Sequence, residues 1–152
     1  PVAKTPPGGY GAEMPPPILA GCTEPLAPGA PDLRGTWKVA SIEWKAGAAP
    51  NDRMLDHVER IEQCGDRVVV TGGRVIHDMR ADGTLEHGVD DVMERDLKTR
   101  IRVAAVFNEG RLDLHPFGID PARPPLVTRE VVDGRLIWNY ATFRVTLERI
   151  DA

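Results

Sequence analysis

Two of the four histidines, His77 and His87, fall in one short stretch, Arg74 to Asp91, RVIHDMRADGTLEHGVDD. The stretch reads as a β-hairpin turning at Ala81-Asp82-Gly83, with Gly83 in the left-handed position that a three-residue loop needs. That loop sets His77 opposite His87, Met79 opposite Leu85 and Val75 opposite Val89, so one apolar face carries two opposed imidazoles. A two-residue Asp82-Gly83 loop would put the histidines on opposite faces. The three-residue loop is preferred because it matches apolar with apolar on every rung.

Inside a cavity, such a pair can hydrogen-bond a ligand or move a proton near neutrality. Side by side, two imidazoles resist double protonation, which leaves one as a base. Adding an inward Asp91 or Glu59 would make a His-His-carboxylate set, but the spacing is not a familiar one, and neither a metal nor a cofactor is expected. Asp78 and Glu86 fall on the other face and read as a solvated face beside Arg74 and Arg80. Arg129, Trp138 and Tyr140 share a face if Asp133-Gly134 is a two-residue turn, and Arg129 could then stack on Trp138. His57 and His115 lack a second feature and read as structural.

The elements that position these residues are short strands separated by regular turns. Arg34 to Lys45 is the first strand, with Trp37, Val39 and Ser41 on one face. Asn51 caps a short helical turn through Asp56 that covers a mouth. His57–Cys64, Arg67–Thr71 and Arg74–Ala81 follow, turning at Gly65-Asp66 and Gly72-Gly73. Their inner face reads Ile61, Gln63, Val68, Val70, Val75, His77 and Met79. In Arg100 to Phe107, Val103 and Phe107 share a face, and a turn at Asn108-Glu109-Gly110 sets Leu112 against Phe107 and Leu114 against Ala105. Three further strands reach Ile150. About nine or ten short antiparallel strands would leave edges that closure into a barrel removes.

Residues 1–33 differ in kind. They are rich in proline and glycine, which suit neither helix nor central strand, and they read as an arm laid over a barrel domain of residues 34–152. The chain has 152 residues, a charged fraction of 28% and a net charge of -4, with no basic stripe, so nucleic acid is not an expected partner. No apolar run reaches membrane-helix length, no leader is apparent, and no membrane partner is expected. Cys22 and Cys64 lack a metal or redox spacing and read as free thiols in a cytoplasmic chain. No phosphate loop or nucleophile elbow is present.

Gly35-Thr36-Trp37, opening the first strand, resembles the Gly-x-Trp signature of the calycins, the lipocalins and fatty-acid-binding proteins. The segment TREVVDGRLIWNY…FRVTLERI resembles the last strands of the fatty-acid-binding proteins. The resemblance implies an up-and-down antiparallel β-barrel holding one small, mostly apolar ligand. It also implies that Trp37 packs at the closed end under a late arginine, Arg144 or Arg149. That family holds a carboxylate with an Arg-x-Tyr pair, and the aligned positions here are Val145 and Leu147, so that anchor is missing.

The expected function is binding of a small hydrophobic or aromatic molecule, lined by Gln63, Val75, Met79, Leu85, Val89, Val103, Phe107, Leu114, Arg129 and Trp138. The alternative is a cofactor-independent isomerase, cyclase or lyase using His77 or His87 as base, with Tyr140 polarising the substrate. A homodimer docked through the arm is a further possibility.

Overall fold

The computed structural model describes residues 2–151. Its ten strands are β1 (Gly35–Trp44), β2 (Val58–Cys64), β3 (Arg67–Gly72), β4 (Val75–Arg80), β5 (Val89–Val92), β6 (Arg100–Asn108), β7 (Arg111–Pro116), β8 (Val127–Val132), β9 (Arg135–Asn139) and β10 (Phe143–Arg149). They form one antiparallel sheet in the order β4-β3-β2-β1-β10-β9-β8-β7-β6-β5. Each strand pairs with its sequence neighbour, and β1 pairs with β10, so the sheet curls into a nearly closed barrel. A 3₁₀ turn at Asp52–Asp56 bridges β1 and β2, with the Asn51 side chain accepting from the Arg53 amide.

Turn chemistry sets the register. Gly73-Arg74, Glu109-Gly110 and Asp133-Gly134 each place two residues at positive φ, the type I′ geometry that matches strand twist. Phe107 faces Leu112, Ala105 faces Leu114 and Arg129 faces Trp138, as the sequence suggests.

Five expectations need correction. The β3–β4 turn is Gly73-Arg74, not Gly72-Gly73, so Val70 faces His77 and Val68 faces Met79. The shift is two residues, which leaves every side chain on its expected face. In β1 a bulge between Val39 and Ser41 reverses the alternation, so Ile42 and Trp44 share the face of Val145 and Phe143, and Ser41 does not.

The hairpin through Ala81-Asp82-Gly83 does not form. β4 and β5 are the two ends of the sheet order, and His77 does not oppose His87. Asp82 is the cause. Its carboxylate accepts from the Thr84 amide and hydroxyl and holds the His87 ring at 2.5 Å, which curls the chain away from β4. Asp82 also bridges to Val106 of β6. The fourth correction is a disulfide between Cys22 and Cys64, where free thiols were expected.

The β4–β5 seam is laced rather than laddered. The Arg80 amide donates to the His87 carbonyl, and His77 Nε2 lies 2.9 Å from the Val92 carbonyl. Outside the seam, the Thr5 hydroxyl accepts from the Ile76 amide of β4, and the Thr5 amide donates to Asp91 of β5. The Ala3 amide donates to Asp78, and Lys4 Nζ donates to the Asp90 carbonyl. Further along, the Ile18 and Leu19 amides both donate to the Glu62 carboxylate. These contacts accompany burial of outward-facing Val69, Thr71, Ile76 and Asp78. Asp78 is therefore not a solvated carboxylate; it pairs with Arg67 at 2.6 Å.

The core runs through the barrel and is most completely sealed around Trp37. Leu33, Trp37, Ile61, Val68, Leu112, Leu136 and Leu147 are essentially sealed. Gln63 accepts from the Leu33 amide and donates to the Pro31 carbonyl, which seats Leu33 as a plug. Trp37 donates its indole N–H to the Leu33 carbonyl at 3.0 Å, and the Arg149 guanidinium lies 4.5 Å over its ring.

Candidate functional site

The barrel interior contains a buried cluster of charges. Glu59 lies on the inward face of β2, opposite Gly72, and is 1% exposed. Only glycine fits at Gly72, because a Cβ there would sit 2.8 Å from the Glu59 Cβ and 2.9 Å from the Val58 carbonyl. Arg129, on β8 across the barrel, grips Glu59 in a fork, with Nε at 2.8 Å from Oε2 and a terminal nitrogen at 3.2 Å from Oε1.

His57 completes the cluster. Its backbone is fixed by bonds to Met54 and Val39, between the 3₁₀ turn and β1. Its ring donates from Nε2 to Glu59 at 2.8 Å and from Nδ1 to Glu94 at 3.1 Å. Glu94 reaches in over Gly73, where any Cβ would collide with its carboxylate. The two neighbouring glycines thus make room for the two acids that bracket one imidazole.

Burial alone would lower the His57 pKa, but hydrogen bonds to Glu59 and Glu94 override it and hold the ring at about 9, charged at neutrality. Burial would likewise raise Glu59, yet the Arg129 charge and the His57 bond hold it at about 2. Two cations and two carboxylates therefore cancel. Trp138 closes the site, with its ring 4.6 Å from the Arg129 guanidinium, 5.1 Å from His57 and 4.9 Å from Phe143. Trp44 and Tyr140 extend the aromatic wall around Phe143.

The sequence-derived residues separate by burial and by partner. Met79, Val89, Val103 and Trp138 lie in the core cluster, with Phe107, Leu114 and Tyr140 packed against it and only half-buried. Val75 and Arg129 are buried, the latter inside the charge cluster. His77 is half-buried on the inner side of the seam, where burial outweighs the Val92 carbonyl and pushes its pKa down, favouring the neutral ring. Gln63 is buried but committed to the Leu33 plug.

His87 and Leu85 sit in the connection after β4. His87 is exposed, and its Asp82 partner raises its pKa. The pair of opposed imidazoles is therefore not assembled, and the His77–His87–carboxylate set is not brought together. Among the described residues no group of three His, Cys, Asp or Glu could hold a metal ion.

Sequence reasoning missed His57 and Glu94, and gave Glu59 only a metal role. The available signal was the inward phase of Glu59 with Ile61 and Gln63, which puts an acid on an apolar face and demands a buried cation.

No family model matches the chain, and no curated protein matches it. Solved structures do. Human cRBP IV aligns at 17% identity over 78% of this chain and 98% of its own, with a TM-score of 0.57. The REP1-NXSQ fatty acid transporter aligns at 16% identity over 80% and 98%, with a TM-score of 0.59. A zebrafish ileal bile acid-binding protein complexed with cholic acid aligns at 17% identity over 77% and 98%, with a TM-score of 0.55. With its all-antiparallel strand order, the chain therefore has a calycin-type barrel fold. At this identity the likeness is one of fold. Among the described residues, no helix is long and apolar enough to cross a membrane.

Proposed function

We propose that this barrel carries one small, mostly apolar molecule, with its tail along the inner wall and its polar end toward Trp138 and Arg129. One observation carries the reading: Ile42, Trp44, Ile101, Leu114, Val127 and Tyr140 face inward and yet are only half-buried. In this reading a bound molecule completes the burial of these side chains, whereas the residues around Trp37 are already sealed. The fatty acid and bile acid named for two of the similar structures fit a ligand of this general kind. In the same reading residues 1–33 are an arm serving the barrel of residues 34–152. The proton-transfer alternative has no support, because His87 lies on the surface and His77 is held toward its neutral form on Val92. The Cys22–Cys64 disulfide favours an oxidising compartment over the cytoplasm expected from sequence.

Native mass spectrometry after incubation with a total lipid extract tests the reading. A one-to-one adduct is expected, and Leu114→Glu should lower its yield by about ten-fold while the near-ultraviolet circular dichroism persists. A chain that takes up nothing from the extract would refute the carrier function.

A further inference from the structure

Three buried side-chain atoms lack a hydrogen-bond partner among the described residues: Arg60 Nε, Thr71 Oγ1 and Trp138 Nε1. Arg60 and Thr71 are register partners on the outer face of β2 and β3. Trp138 Nε1 is the one on the inner face, on a side chain 8% exposed. An indole N–H can only donate, and a buried donor left unmatched is costly, so this position calls for an acceptor atom.

The cation beside it is already matched. Arg129 forks onto Glu59, both Glu59 oxygens are engaged, and His57 is bracketed by Glu59 and Glu94. A carboxylate entering here would have to displace Glu59 from Arg129 or lie beside it, and like charges repel strongly in a buried site. An ester, ketone, ether or alcohol oxygen meets no such opposition and satisfies the indole.

We infer that the barrel selects an uncharged amphiphile, whose polar end presents a hydrogen-bond acceptor to Trp138, over a carboxylate-ended one of the same length. The inference rests on the carrier reading. It assigns Glu59 the role of a specificity-determining residue that occupies the arginine in place of a ligand's anion.

The probe pair is dansylaminoundecanoic acid and its methyl ester, titrated by dansyl fluorescence against the disulfide-intact chain. The ester should bind about ten-fold tighter or better. Because the ester is also the more apolar molecule, the decisive quantity is the change in the ester-to-acid ratio on substitution. Glu59→Gln frees Arg129 and should move the ratio toward the acid by about ten-fold or more. Trp138→Phe should weaken the ester by about five-fold and lower the ester-to-acid ratio. This variant decides the question if Glu59→Gln does not fold. Acid binding tighter than ester to the unmodified chain, an unmoved ratio in Glu59→Gln, or unchanged ester affinity in Trp138→Phe would each overturn the inference and leave the carrier function standing. Failure of both probes to bind would remove both.

Discussion

The barrel contains two tryptophan–arginine stacks of nearly the same geometry, and they behave differently. Arg149 lies 4.5 Å over Trp37, and Arg129 lies 4.6 Å over Trp138. In the first, the indole donates to the Leu33 carbonyl and the guanidinium donates to the Arg34 carbonyl, so backbone satisfies both partners. In the second, the guanidinium is held by a buried carboxylate and the indole N–H has no hydrogen-bond partner among the described residues. A stack closed by backbone is a plug. A stack closed by another side chain, with a donor left over, is a site.

The largest contrast should come from removing Glu59. Glu59→Ala leaves the Arg129 and His57 charges buried without compensation and should cost about 3–5 kcal/mol in urea unfolding. A cost below about 1 kcal/mol would mean the cluster is solvated and the contrast false. Next is the tether at the plugged end. Reducing Cys22–Cys64, which closes a sequence separation of 42, should cost about 2–4 kcal/mol by releasing the unfolded chain. Equal midpoints with and without reductant would show that the bond constrains nothing.

The pH profile sharpens the contrast further, because His57 and Glu59 on the Trp138 side are both strongly shifted. His57 is raised from 6.5 to about 9, so its contribution is complete below pH 6.5 and is lost as pH rises through 9. Glu59 is lowered from 4.5 to about 2, so its contribution is present above pH 4.5 and is lost as pH falls toward 2. Stability should therefore be greatest between about pH 4.5 and 6.5, and His57→Gln should flatten the alkaline limb. An unchanged limb in that variant would reassign the titration. The smallest effect belongs to the plugged stack. Arg149→Ala should cost about 1 kcal/mol and alter Trp37 emission without changing ligand uptake.

Much of the fold is legible in sequence where local rules decide. Glycine turns set three hairpins, and Gly35-Thr36-Trp37 with a late arginine announces the plugged end, the arginine being Arg149. Legibility ends where a side chain overrides the backbone pattern. Asp82 bends the segment after β4 through bonds that no periodicity reports. The β1 bulge turns Ile42 and Trp44 inward against the alternation. Of the site, Arg129, Trp138 and Tyr140 are readable as one face because a two-residue turn fixes their pairing. Glu59 and His57 are not, because their burial makes sense only once an arginine seventy residues away is across the barrel. Cys22 and Cys64 carry no spacing signal at all, since the path of the chain before β1 brings them together.

The Thr5 lacing across the β4–β5 seam also bears on how the chain folds as it is synthesised. Ala3, Lys4 and Thr5 reach partners 75, 86 and 86 residues further on. Residues 3–5 therefore find their place only once β4 and β5 have been made, and closure through β1 and β10 waits still longer, because Trp37 pairs with Arg149. Such separations make for slow folding, with residues 3–5 undocked while the ribosome delivers their partners. The same contacts should be among the earliest to open, so amide exchange at Ala3 and Thr5 reports breathing of the seam well below the free energy of global unfolding.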